Sequence, residues 1–222
     1  MHSKIKVHLI FFIYILSNTS VFGGSSENSI LIKDQLYNFS TIKKNKNMAI
    51  DWKLKGSILK KYTNDITVIE NPFLNIYKTQ STIDIKSDMA IDPSGNMEEI
   101  YLKNNVFISR EYFSDNTPMK MYTSYGIFYV SQNLFETDRD ITIITSDSTT
   151  TGSGLSANME TGIIRILSNA KRIIRENDKS RIIEGNQMIY DANEEKWTVK
   201  DVAANDLKKI ITKKVTTTFF VK

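Results

Sequence analysis

Apolar and polar residues alternate with a period of two along most of this chain, and that pattern constrains its fold more than any other feature. Ile50, Trp52, Leu54, Gly56 and Ile58 share one parity, and Asp51, Lys53, Lys55 and Ser57 take the other. Ile83 and Ile85 alternate with Thr82, Asp84 and Lys86. Ile100, Leu102, Val106 and Ile108 fall on one side of the next segment, Ile164 and Ile166 flank Arg165, and Trp197 and Val199 flank Thr198. Successive side chains of a strand point to opposite faces, so these segments predict half-buried antiparallel strands separated by Asp, Asn, Gly and Ser turns. Helical periodicity is limited to short stretches such as residues 203–214. Aromatic residues at 10% also favour strands.

A loose repeat runs through the pattern. Met89-Ala-Ile-Asp92, Leu155-Ser-Ala-Asn158 and Met188-Ile-Tyr-Asp191 share the form apolar-x-x-Asp/Asn. The second and third are 33 residues apart and the first two 66 apart. A weaker copy without the acid or amide, Ile127 to Val130, falls between them. Each unit reads as strand, polar turn, strand, with the Asp or Asn opening the turn. Gly152-Ser-Gly154 precedes one unit. It lacks the Lys-Ser/Thr of a phosphate loop and the third glycine of a dinucleotide fold, so it is expected to be a bulge or edge within a strand.

Lys4 and Lys6 precede an apolar run from Val7 to Leu16, broken by His8, and small residues follow Phe22. Ten positions are too few for a spanning helix, which needs roughly 20 residues. Residues 1–23 are therefore expected to be a signal peptide or a membrane anchor, and the chain to be exported. Residues 24–47 are expected to be an N-terminal extension, 48–204 the β domain and 205–222 a C-terminal segment.

His2 and His8, the chain's two histidines, lie in that leader, and there is no cysteine. The exported part then lacks the usual neutral-pH base, the commonest zinc and copper ligands and the thiol nucleophile. No metal, cofactor or catalytic residue is expected, and the fold must rest on an apolar core. The net charge of +4 is too small and too dispersed for nucleic-acid binding. Lys43 to Lys46 and Lys171 to Arg175 read as solvated faces. The acid pairs Glu98-Glu99, Asp138/Asp140 and Glu194-Glu195 could serve a glycosidase. Adjacent strand residues diverge, however, so turn solvation is the expected role.

The segments "DWKLKGSIL" from Asp51, "NPFLNIY" from Asn71, "IYLKNNVFI" from Ile100 and "TGSGLSANMETGIIRILSNAKRI" from Thr151 resemble the periplasmic lipopolysaccharide-transport family of LptC and its OstA-like relatives, including LptA. "IIEGNQMIYDANEEKWTVKDV" from Ile182 is the most OstA-like. The resemblance spans about residues 50–202 and implies an all-β antiparallel jellyroll whose two sheets form a V around a lipid-accommodating interior. It also implies transfer of lipopolysaccharide from an inner-membrane ABC transporter toward the outer membrane, with jellyroll partners joined by edge-strand pairing. Ile83, Ile85, Ile100, Leu102, Val106 and Ile108 are the expected groove residues of the first half. Ile127, Tyr129, Ile141, Ile143, Ile164 and Ile166 are those of the second. An exported structural or adhesive β-repeat protein with a closed core makes the same demand on the sequence. A filled interior would favour that alternative.

Overall fold

Among the described residues, fifteen strands join into one antiparallel sheet that folds back on itself. The structure is a computed structural model describing residues 30–112, 118–176, 179–192, 194, 196–200 and 217–220. Its strands are β1 (Ile32–Lys44), β2 (Ile50–Tyr62), β3 (Thr67–Glu70), β4 (Phe73–Tyr77) and β5 (Ser81–Lys86). They continue with β6 (Met89–Asp92), β7 (Glu99–Tyr112), β8 (Met119–Tyr129), β9 (Leu134–Ile144) and β10 (Ser148–Asn158). The last are β11 (Ile163–Glu176), β12 (Lys179–Gly185), β13 (Gln187–Asp191), β14 (Lys196–Lys200) and β15 (Thr217–Phe220).

Long and short strands divide the work. β2 pairs with β4 over Trp52–Lys55 and with β3 over Ile58–Lys61. β7 pairs with β6 near its start and with β5 over Phe107–Tyr112. β11 pairs with β13 near its start and with β12 over Ala170–Glu176. Each long strand thus contributes one half to each of two layers. The first layer holds β4, β5, β12 and the matching halves of the long strands; the second holds β3, β6, β13 and β14. The inner faces of both layers meet in a single apolar core. The architecture is an antiparallel β-jellyroll.

The crease between the layers is built from residues that break strand geometry. Asn104 and Asn105 of β7 and Asn169 of β11 have φ of 58°, 48° and 52°, and Gly154 of β10 has φ of 73°. Asn and Gly tolerate this left-handed region best, and each such residue inserts a bulge that bends its strand. The register of β7–β8, β8–β9, β9–β10 and β10–β11 shifts near the crease. Where a glycine replaces a side chain, a neighbour fills the space: the Phe135 ring lies directly over Gly126. The expected bulge at Gly152-Ser-Gly154 is present.

The repeated Asp and Asn residues open hairpin turns. The Asp92 carboxylate accepts hydrogen bonds from the backbone N–H of Gly95 and Met97, both at 2.9 Å. Asn158 Oδ1 accepts from Glu160 N at 3.0 Å and Thr161 N at 2.8 Å. Successive turns are tied to each other along the rim of the second layer. Val130 N donates to Glu98 O at 2.9 Å, Met159 N to Asn133 O at 2.7 Å and Ala192 N to Gly162 O at 3.2 Å. The repeat seen in the sequence is therefore one rung of stacked hairpins.

Within residues 24–47, expected as an extension, Ile32–Lys44 form β1 along β2. Its side chains are largely exposed, so it carries no clean alternation to betray it. The leader at residues 1–23 and the short helical stretch expected at 203–214 lie outside the described residues, as does most of 205–222.

Candidate functional site

Directly opposed residues of antiparallel strands share a face, so the pairing registers trace the inner surface row by row. In the first layer one row runs from Leu54 through Leu74, Ile85, Ile108 and Met121 to Ile143. It then continues to Thr150 and Arg172. The row is aliphatic over β2–β9 and polar at β10–β11. In the second layer a row passes from Ile100 through Phe128, Phe135, Ala157 and Ile164 to Tyr190 and Trp197.

The structure brings ten of the twelve expected groove residues onto these inner faces. Ile83, Ile85, Val106, Ile108, Ile141 and Ile143 are buried in the first layer, and Leu102 and Ile166 in the second. Ile100 and Ile164 are half-buried and pack on the same core. Ile127 and Tyr129 are placed elsewhere, on the outer face, because the buried residue between them is Phe128. Burial pushes the Tyr129 phenol above its usual pKa, and the nearby Glu136 and Glu99 add to the shift. The reason for the swap is the bulge between Thr123 and Ile127. Met121 points inward, and an uninterrupted parity count from it reaches Ile127 and Tyr129; the extra residue moves the inward position to Phe128. Phe128, Phe135, Leu155 and Met188 are buried inner-face residues outside the expected groove set, although Leu155 and Met188 head two of the apolar-x-x-Asp/Asn repeats. The both-faced apolarity of Ile127–Val130 was the available signal for the first of them.

The interior is packed. A cavity of about 40 Å³ remains between the layers, lined on one side by Ile108, Met119 and Met121 and on the other by Ala157, Met159 and Ile164. One water occupies roughly 30 Å³ in the liquid, so an acyl chain enters only if side chains move or the layers part.

The mouth, opposite the crease, is spanned by cations from the first layer. Lys78 Nζ donates to Asn133 Oδ1 at 3.5 Å. The Arg110 guanidinium lies against Gly162, where a Cβ would sit 3.1 Å from its Nη1. The Arg172 guanidinium lies 4.9 Å from the Trp197 ring, which stacks on Tyr190 with centroids 4.9 Å apart. Arg172 Nε donates to the buried Ser148 Oγ at 3.1 Å, and its Nη2 lies 3.4 Å from Asp147 Oδ2. The Arg172 side chain is 12% exposed and that of Asp147 is 52% exposed, so the cation carries the desolvation. Burial pushes Arg172 below its ordinary pKa, opposed by Asp147. For Asp147, burial acts upward, but the Thr145 hydroxyl, Arg172 and Ser148 together outweigh it and hold the carboxyl below its ordinary 3.8.

Of the candidate acid pairs, Glu98-Glu99 and Asp138/Asp140 take exposed positions, and Glu195 of the third lies outside the described residues. Asp138 pairs with Arg139 at 3.3 Å, and Asp140 accepts from Ser153 Oγ at 2.5 Å. Glu98 and Glu99 are exposed in a turn and a strand start. The described residues contain no group of three His, Cys, Asp or Glu placed to hold a metal. Of the chain's aromatic residues, Trp52 and Trp197 pack on the core. Phe73 lies on the outer face under Lys86 Nζ, 4.4 Å away, and Tyr77 is exposed.

A family model for lipopolysaccharide assembly, LptC-related, matches residues 7–176, more than half of the 222 residues. Among solved structures, the chain is similar to LptH of Pseudomonas aeruginosa, described as the LptA-homologous periplasmic component of the conserved lipopolysaccharide transport device. That match has 8% identity, covers 85% of this chain and 94% of the other, and has a TM-score of 0.34. No curated protein matches.

Proposed function

Since the chain belongs to the LptC-related lipopolysaccharide-assembly family, we propose that it is a periplasmic carrier that takes the acyl chains of lipopolysaccharide between its two layers and passes them on. The supporting observation is the continuous apolar inner surface ending at a mouth held by side chains. Burying acyl chains yields about 0.8 kcal/mol per CH₂, so a dry apolar surface supplies affinity without catalytic groups. No cofactor takes part, and transport replaces catalysis.

The 13-residue β1 is the edge best suited to pairing with another jellyroll protein or with the inner-membrane ABC transporter. It pairs with β2 on one side, and Leu36, Tyr37 and Ile42 are exposed along it. An unpaired strand edge is a template for addition of a strand from another chain. At the other end of the sheet, β14 is short and carries Lys196 and Lys200, which discourage such pairing.

A photo-crosslinking amino acid placed at Phe128, Ile143 or Ile164 tests the lipid reading, with Ile127 and Tyr129 as outer-face controls. Lipopolysaccharide adducts at the inner positions and none at the controls are expected. The packed interior favours a second reading, a structural β-repeat protein with a closed core. Equal, background-level labelling at all five positions in folded protein would establish that reading and remove the first.

A further inference from the structure

The polar end of the inner surface carries more positive charge than its packing explains. Arg172 lies between the buried Ala170 and Ile174 on β11, so it faces inward. Arg181 of β12 is paired with Ile174 and shares parity with Ile183, which packs on the core, so it faces inward beside Arg172. The register makes the two arginines diagonal neighbours on one face of β11–β12, and Arg181 acts on Arg172 as a like charge. Arg172 has Ser148, Asp147 and the Trp197 face as partners. The buried Nε of Arg181 has no hydrogen-bond partner, and Arg181 forms no ion pair among the described residues. Burying a donor unsatisfied beside a like charge is costly, and an anion bridging the two forks would remove both penalties. The neighbouring inner row is aliphatic as far as Ile143. A ligand fitting both parts is amphiphilic, with a phosphate at one end and hydrocarbon at the other.

We propose that Arg172 and Arg181, with Ser148 and Trp197, form a phosphate site for the headgroup of a lipid whose acyl chains enter the apolar interior. This rests on the lipid-carrier reading and adds to it the headgroup chemistry. Arg supplies a planar fork of donors matched to phosphate oxygens, which a lysine point charge does not.

The test measures dissociation constants of the full chain for lipopolysaccharide, for the same lipopolysaccharide with its phosphates removed, and for inorganic phosphate. Trp197 fluorescence in a Trp52→Phe background reports on the site. Dephosphorylation is expected to weaken binding by the wild-type chain about tenfold, and Arg181→Gln and Arg172→Lys to abolish that difference. Arg181→Gln removes no ion pair among the described residues, so it keeps the test valid if Arg172→Lys does not fold. Equal wild-type affinity for both lipids, or an undiminished preference in Arg181→Gln, overturns the phosphate site and leaves the carrier reading standing. Binding of neither lipid defeats the carrier reading itself. A response of Trp197 to inorganic phosphate alone, lost in Arg181→Gln, then assigns the site to free phosphate and overturns the lipid headgroup.

Discussion

The crease and the mouth of the two layers are held together by different forces. At the crease, backbone continues from one layer into the other, and the gaps between short strands are closed by main-chain bonds. Asn71 N donates to Asp88 O at 2.8 Å, and Asp88 N donates to Asn104 O at 3.0 Å. Side chains there interlock without slack, as where Phe135 covers Gly126. At the mouth, the contacts that cross are long flexible side chains: Lys78 to Asn133, Arg172 to Trp197, and methionines around the remaining cavity. Methionine adapts its shape easily, and the long Lys78 and Arg172 side chains reach their partners through several rotatable bonds. On the proposed carrier reading, the layers stay joined at the crease and part at the mouth.

The largest expected effects come from damaging the crease. A Cβ at Gly126 would overlap the Phe135 ring, which is fully buried and cannot withdraw into empty space. Gly126→Val is therefore expected to prevent folding, as read by loss of a cooperative thermal transition. Phe135→Ala should cost about 3–5 kcal/mol, the usual range for emptying a buried aromatic site. Replacing Met159 at the mouth by Leu should cost under about 1.5 kcal/mol, since it conserves volume. If chemical denaturation instead finds Met159→Leu as damaging as Phe135→Ala, the two seams are equally rigid and the contrast fails.

A second expectation concerns opening. The chain contains no cysteine, so Met119→Cys with Met159→Cys provides a unique pair flanking the mouth cavity. Joining them with a short thiol crosslinker should leave the fold intact and reduce lipid adducts at Phe128 at least fivefold. Cleaving the linker should restore them. Undiminished labelling with the linker in place would show that lipid does not enter by parting the layers there.

The difference between the two seams also decides how much could be read from the sequence. Alternation exposed the strands, and apolar-x-x-Asp/Asn exposed the hairpins, because both are local consequences of backbone geometry. Ten inward-facing positions follow from parity alone. Parity fails at Ile127 and Tyr129, where a bulge between Thr123 and Ile127 interchanges the faces; Gly126 within it is the one local mark, and a single glycine does not say whether a residue is inserted. β1 was hidden because its exposed faces impose no apolar pattern. The inward turn of Arg172 was hidden for a different reason. Its position continues the parity of Ala170 and Ile174, but a charged residue there reads as solvated until Trp197, 25 positions later, is seen to cover it.

The smallest expected effect lies at the mouth's one acidic partner of Arg172 among the described residues. Asp147 is held below its ordinary pKa of 3.8 in the folded chain. Its unfolded form therefore binds a proton more readily, and the stability it contributes is present above about pH 4 and lost as pH falls through the lower folded value. Because the carboxylate is more than half exposed, solvent screens most of the pair's Coulomb energy, and the contribution is at most about 1 kcal/mol. Asp147→Asn should flatten the acid limb of the stability curve by that amount while leaving stability at pH 7 lower by no more than the same amount. Phe135→Ala should lower stability at every pH without changing the limb's slope. An acid limb unchanged in Asp147→Asn would mean that Arg172 is held by Ser148 and Trp197 alone. The mouth would then be closed by packing, as the crease is, and the distinction between the seams would narrow to their side-chain flexibility.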